Sequence, residues 1–202
     1  NDYVSKLRTM PATFGAPAKV GVTEIENKVN LNVLSYTPDG KLTSLVSETL
    51  KNNISNYLSN YRMLNDYILV GAARVIDLAL SVDLILEKSA NEGSIVTNVI
   101  TKISEYFSID RLELGEDLTL GTLRSFIMSQ PGVLNITGLY VFNKVGDGYS
   151  QSISTQPYIN ATTKQIGLID DTIYAQPNEI LQIRFPEKDI AVRFKKPSKP
   201  VF

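Results

Sequence analysis

The chain has 202 residues, 43% of them hydrophobic, with 20 basic against 21 acidic side chains and a net charge of −1. That length holds one large domain or two small ones and buries about 70% of the surface its unfolded form exposes, so no staple is needed. The absence of cysteine excludes disulfides and thiolate chemistry, the absence of histidine removes the usual general base near neutral pH, and the balanced charge supplies no bulk field for nucleic acid.

Asp2 to Thr9 has Tyr3, Val4 and Leu7 on one side and predicts a short helix, ended by Pro11, Gly15 and Pro17. Strands are expected over Lys19–Glu24 and Val29–Tyr36. In the second, Val29, Leu31 and Val33 point one way and Asn30 and Asn32 the other. "TPDG" (37–40) is turn chemistry, with proline preset for the first corner and glycine free at the end. Thr43 or Ser44 then caps a helix running to about Leu58, with Val46, Leu50, Ile54 and Tyr57 at helical spacing.

The clearest strand is Arg74 to Leu86. Ile76, Leu78, Leu80, Val82, Leu84 and Leu86 share one face; Asp77, Ala79, Ser81 and Asp83 share the other, which is expected to be wet. A helix follows from Glu92 to Phe107, with Val96, Val99, Ile100, Ile103 and Phe107 inward. A shorter helix over Thr122–Ser129 turns Leu123, Phe126 and Ile127 inward, and Pro131-Gly132 fits a type II corner. Val133 to Val145 is strand, and "GDG" (146–148) is a turn.

Composition shifts near Tyr149. "SQSISTQPYINATT" (150–163) is polar and aperiodic, as a linker is, and short β-like stretches follow at Gln165–Ile169, Ile180–Phe185 and Ile190–Phe194. The expectation is an α+β body over 1–150 and a β-rich arm over 151–202. An offset of 49 lays "ISNYLSNYRM" (54–63) over "ISEYFSIDRL" (103–112), and "SKLRTM" (5–10) echoes "GTLRSF" (121–126). Two related helix-plus-strand units would produce this, and so would the general likeness of amphipathic helices. On either account the helices pack on largely antiparallel sheets.

Few side chains offer chemistry. Asp170 and Asp171 face opposite ways if extended, and read as solvated turn acids. Glu113, Glu116 and Asp117 lack the ordered spacing of a calcium loop and suit helix capping. Asp77 and Asp83 would lie roughly 20 Å apart along a strand, too far for either glycosidase geometry. "KVGDGYS" (144–150) lacks the spacing of a dinucleotide loop, and the sequons at Asn135 and Asn160 read as chance. "RFKKPSK" (193–199) is a basic tail. Arg62 and Arg111, equivalent under the offset, either clamp a helix C-terminus or anchor a partner. They are candidate interface residues, together with Tyr140. No catalytic residue, cofactor or metal is expected.

No apolar run approaches the ~20 residues of a membrane helix, and no signal peptide is visible. The start at Asn1 reads as a fragment of a longer polypeptide.

The order of the pieces carries a resemblance. "DYVSKLRTMPATFG" leads into strands, a long helix leads into "GAARVIDLALSVDL", and "VITKISEYF" leads to "LGTLRSFIMSQPGV" and the strand "ITGLYVF". Over residues 2 to about 145 this resembles the baseplate J-like family, the wedge proteins of contractile phage tails and related injection machines, in its C-terminal region. The resemblance implies a non-enzymatic structural protein of the virion tail baseplate, assembled in the bacterial host cytoplasm. Its partners would be other wedge and hub proteins and further copies of itself in a ring, with no nucleic acid and no membrane. A carboxylate-based glycan hydrolase of the tail, or a glycan-binding module, is the alternative.

Overall fold

The computed structural model describes residues 2–25, 28–62 and 67–195. Met63, Leu64 and Asp66 and most of the basic tail, from Lys196 on, lie outside them.

The chain opens with α1 (Asp2–Arg8) and a 3-10 turn at Ala12–Phe14. Strands β1 (Lys19–Ile25), β2 (Lys28–Tyr36) and β3 (Leu42–Thr43) follow, then α2 (Glu48–Ser59) and β4 (Tyr67–Ala72). Both β1 and β3 run antiparallel to β2, whereas β4 runs parallel to it, with α2 as the crossover. Tyr3, Leu7 and Met10 meet Val29, Leu31, Val33, Ile54 and Leu58 in one buried cluster, so β2 turns the expected side inward. Helix α2 starts later than Thr43 or Ser44 predict. Its cap is Ser47, whose hydroxyl accepts from the Leu50 N–H at 3.2 Å, and Thr43 is drawn into the β3 pairing.

Ala73 alone separates β4 from β5 (Arg74–Leu86), and there the chain passes from the first sheet into the second. The sequence continues through α3 (Glu92–Tyr106), β6 (Leu118–Thr119), α4 (Leu120–Met128) and β7 (Val133–Lys144). It ends in β8 (Thr172–Ile173), β9 (Glu179–Gln182), α5 (Pro186–Asp189) and β10 (Ile190–Phe194). The corner after α4 has the expected geometry: Gly132 takes φ +88°, and Val133 N–H donates to the Gln130 carbonyl at 3.2 Å.

Strand β5 is central. Antiparallel β7 lies along one edge; parallel β9 and β10 lie end to end along the other, at Arg74–Asp77 and Leu80–Leu84. The fold is α+β, and its sheets are mixed. Four of the strand pairings among the described residues are antiparallel and three are parallel. Parallel pairing comes from the α2 crossover and from the return of the C-terminal segment.

That return sets the structure apart from a body with an outlying arm. Ile166, Ile173, Ile180, Leu181, Ile183 and Ile190 are buried in the same cluster as Ile76, Leu78, Val99, Ile103 and Leu123. Residues 151–195 lie against the body, and each of these isoleucines and leucines contributes about 1.5–3 kcal/mol of burial to the shared core.

The two helices related by the 49-residue offset sit in different clusters. Ile54 and Leu58 belong to the first, Ile103 and Phe107 to the second. The units around them are joined differently: β2 and β4 pair in parallel across α2, whereas β5 and β7 pair antiparallel across α3 and α4.

Candidate interaction surfaces and the buried polar network

The face of β5 expected to be wet is covered. Asp77 is 0% exposed, Ser81 3% and Asp83 4%. At Asp83 the cover is Lys195; over Asp77 it is the polar stretch after Tyr149, which sequence reading takes for a linker. Asn143 of β7 fastens it. Its side-chain oxygen accepts from Ser154 N–H at 2.6 Å, and its Nδ2 donates to the carbonyls of Asp77, Lys144 and Ser152. Asp77 accepts from Ser150 N–H at 2.6 Å and from Gln182 Nε2 at 2.7 Å. A buried backbone loop must have its polar groups satisfied, and here the side chains of the strands beneath do it.

Three more carboxylates are buried, each engaged. Glu179 meets Arg74 Nη1 at 2.5 Å and accepts from Gln176 N–H and Thr155 Oγ1, while Arg74 Nη2 reaches the Ile153 carbonyl. Asp189 accepts from Tyr149 Oη at 2.5 Å and from Phe185 N–H at 3.0 Å. Asp83 Oδ2 pairs with Lys195 Nζ at 2.7 Å, while its buried Oδ1 has no hydrogen-bond partner among the described residues. Burial is the main force pushing the Asp77 carboxyl above the usual range; Ser150, Gln182 and the Arg184 guanidinium act against it, and neighbouring Asp189 adds to it. Burial, then the bond to Asp189, pushes the Tyr149 phenol far up, so it stays a donor. Chemically, this network fastens the C-terminal segment to β5.

The other acids singled out in the sequence sit in turns and at element ends. Asp170 and Asp171 are not extended. Both have positive φ (51° and 55°), and Thr172 N–H closes the turn on the Ile169 carbonyl, a two-residue hairpin of the primed type. Asp171 also accepts from Arg124 Nε at 3.3 Å. Glu113 faces Arg8 and Lys19 at 3.6 and 3.8 Å, Glu116 accepts from Glu113 N–H, and Asp117 accepts from Ala175 N–H. None of the three caps α4, whose Thr119 N-cap makes no side-chain bond. No group of three or more acids poised to hold a metal occurs among the described residues.

The three candidate interface residues lie on separate elements. Arg62 is exposed just beyond α2, with no ion pair or hydrogen bond of its side chain among the described residues. Its counterpart Arg111 is exposed beyond α3, but its guanidinium lies over the Tyr106 ring, 5.3 Å from the centroid. The equivalent of Tyr106 is Tyr57, which packs against Phe14 and Tyr61 instead. Tyr140 stands half-buried on β7, directly across from Ser81, with its ring laid on Gly138. A Cβ at Gly138 would fall 2.6 Å from that ring, so only glycine admits this pose.

Sequence reading misses β4 altogether. It has no β-strand alternation of polar and apolar residues, only the apolar run "YILVGA". Its Ile68 and Val70 pack on the first cluster, while Tyr67 and Leu69 are 57% and 42% exposed. Among the described residues it pairs on one side only, with β2. An edge strand that is apolar on both faces is a surface made to be covered. Tyr36, at the far end of β2, and Leu45 are also exposed. Among the described residues no helix is long and apolar enough to cross a membrane.

No family model matches the chain, and no curated protein matches it. Among solved structures it is similar to a chain of the anti-feeding prophage baseplate, determined by cryo-EM with six-fold symmetrisation. The TM-score is 0.55 and the identity 10%, over 92% of this chain and 37% of that one. At that identity the likeness is one of fold, and this chain spans little more than a third of the length of its neighbour.

Proposed function

We propose that this chain is a structural component of a contractile-tail baseplate, a wedge-type piece that works by protein–protein contact and carries no catalytic site. The observation that carries the reading is the fold likeness to a baseplate chain over 92% of the sequence. The resemblance of the quoted segments to wedge proteins points the same way. The buried network agrees with it, since its carboxylates bond backbone N–H groups, neighbouring side chains or the cations Arg74 and Lys195 of the same chain.

In this reading the wedge packs with other wedge and hub proteins and with further copies of itself in a ring, in a tail assembled in the bacterial host cytoplasm. The edge of β4 left unpaired among the described residues, with the exposed Tyr67 and Leu69, offers an apolar surface to such neighbours. Arg62, exposed and without a side-chain partner among the described residues, is the candidate arginine anchor; Arg111 and Tyr140 join it as contact residues, the guanidinium of Arg111 set over the Tyr106 ring and the Tyr140 ring laid on Gly138.

Light scattering on the purified chain across a rising concentration series tests the self-contact. A concentration-dependent mass increase, lowered by Leu69→Lys with unchanged circular dichroism, is expected. A strict monomer at the highest concentration, in a chain that also fails to bind purified baseplate wedges, contradicts the reading.

A further inference from the structure

A groove on the second sheet is not used by anything described so far. It opens on the face shared by Ser81 and Asp83 of β5, between the stretch fastened over Asp77 and the ion pair at Asp83. Its floor is small or apolar: Ala79, Ser81, Ala191 and the half-buried Phe142. Its rim carries four cations, Lys144, Lys164, Lys188 and Arg193. The groove has a volume of about 390 Å³.

Two observations mark this as more than a chance of charge. None of the four cations makes an ion pair among the described residues; Lys144 and Lys188 only flank the Tyr149 ring, at 5.3 and 5.6 Å. The one acid of the lining, Asp189, is buried and has both oxygens taken by Tyr149 and Phe185. The floor, in addition, holds an orphan. Ser81 Oγ is buried, 3% exposed as a residue, and has no hydrogen-bond partner. A buried hydroxyl left unpaired is destabilising, and a ligand oxygen would relieve it. A chain of net charge −1 has thus gathered four unpaired cations around one unpaired donor.

We propose that this groove binds a carboxylate-rich segment of a partner protein. Its small floor accepts the stems of aspartate or glutamate, the rim takes the charges, and the Ser81 hydroxyl takes one oxygen. A protein is favoured over nucleic acid because the cations ring one short groove instead of tracking a backbone, and the overall charge supplies no long-range field. The outer edge of β10, which carries Ala191 and Arg193 and pairs with no strand among the described residues, suits an extended segment lying alongside. The partner's identity as a protein rests on the assembly reading; the charge of the groove does not.

The test is fluorescence anisotropy with a labelled glutamate–serine repeat peptide, beside lysine–serine and glutamine–serine controls. Inorganic phosphate and a single-stranded oligonucleotide serve as competitors. Binding of the acidic peptide alone is expected, weakening as salt screens the rim. Lys164→Gln with Arg193→Gln is expected to weaken it about tenfold, and the paired glutamate substitutions to abolish it. Ser81→Ala is expected to weaken it a few-fold while leaving the melting temperature unchanged or raised, a combination that a purely structural serine does not give.

Equal binding by the glutamine variant overturns the proposal. So does tighter binding of the oligonucleotide than of the peptide, or no acidic-peptide binding at all. Absent peptide binding in a chain that still assembles sinks the groove alone. Intact peptide binding in a chain that never enters a particle sinks the assembly reading alone.

Discussion

Single residues show where this fold stores its constraints. Gly132 combines φ +88° with a neighbourhood that leaves no room: an added Cβ would sit 3.0 Å from Ala90 Cβ and 3.2 Å from Ile95 Cδ1. Gly132→Ala is therefore expected to cost about 2 kcal/mol, from left-handed backbone and overpacking together, read as a lowered urea midpoint with an unchanged slope. Asp77 gives a pH signature. Its native carboxyl titrates above the unfolded one, so the fold favours its protonated form. That stabilisation is complete below the ordinary carboxylate range and is lost as pH rises through the raised native value. Asp77→Asn keeps a neutral polar group facing Ser150 and Gln182 and removes the titration. Urea melts from pH 4 to 8 should show wild type losing ground to the Asn variant as pH rises, then running parallel. Asp77→Ala leaves both donors unpaired and is expected to cost about 3 kcal/mol at any pH in that range.

At the scale of elements, periodicity decides what a sequence reveals. Strand β5 is legible to its end residues, because six large apolar side chains alternate with short polar ones. Helix α3 is legible for the same kind of reason, although the buried stripe is Ile95, Val99 and Ile103, turned slightly from the expected one. Strand β4 is hidden because an apolar run without alternation carries no period. The cover over Asp77 is hidden because its order comes from Asn143, Asp77 and Glu179, residues distant in sequence that supply hydrogen bonds no local pattern announces. The polar face of β5 could still have raised the question. Two aspartates and a serine on a strand so apolar on its other face need partners once anything packs above them. One consequence concerns the C-terminal segment. A fragment of residues 1–150 leaves the β9–β10 edge of β5 unpaired and strips six isoleucines and leucines from the core. It is expected to lose its cooperative melt and near-ultraviolet circular dichroism. A fragment that melts like the whole chain contradicts the integration of that segment.

The whole molecule is two mixed sheets handed from one to the other at Ala73, with a short β6–β8 pair, and two buried clusters, the larger of which also takes in Leu34 and Leu42 of the first sheet. What faces outward is a free apolar edge at β4, an exposed arginine beyond α2 and a cationic groove between β5, β7 and β10. The buried acids, by contrast, are tied to backbone or to cations of the same chain. Those features describe a piece with several outward faces, and with a fold like that of a baseplate chain they agree with the assembly proposed above. The most direct measurement is mass spectrometry of tail particles purified by sedimentation from the cells or lysate that produce this chain, with the chain quantified against sheath and tube subunits. The account predicts that the chain co-sediments in a fixed ratio compatible with a six-fold ring and stays in the particle after washing with high salt. Particles that contain every other baseplate protein and no copy of this chain would contradict it.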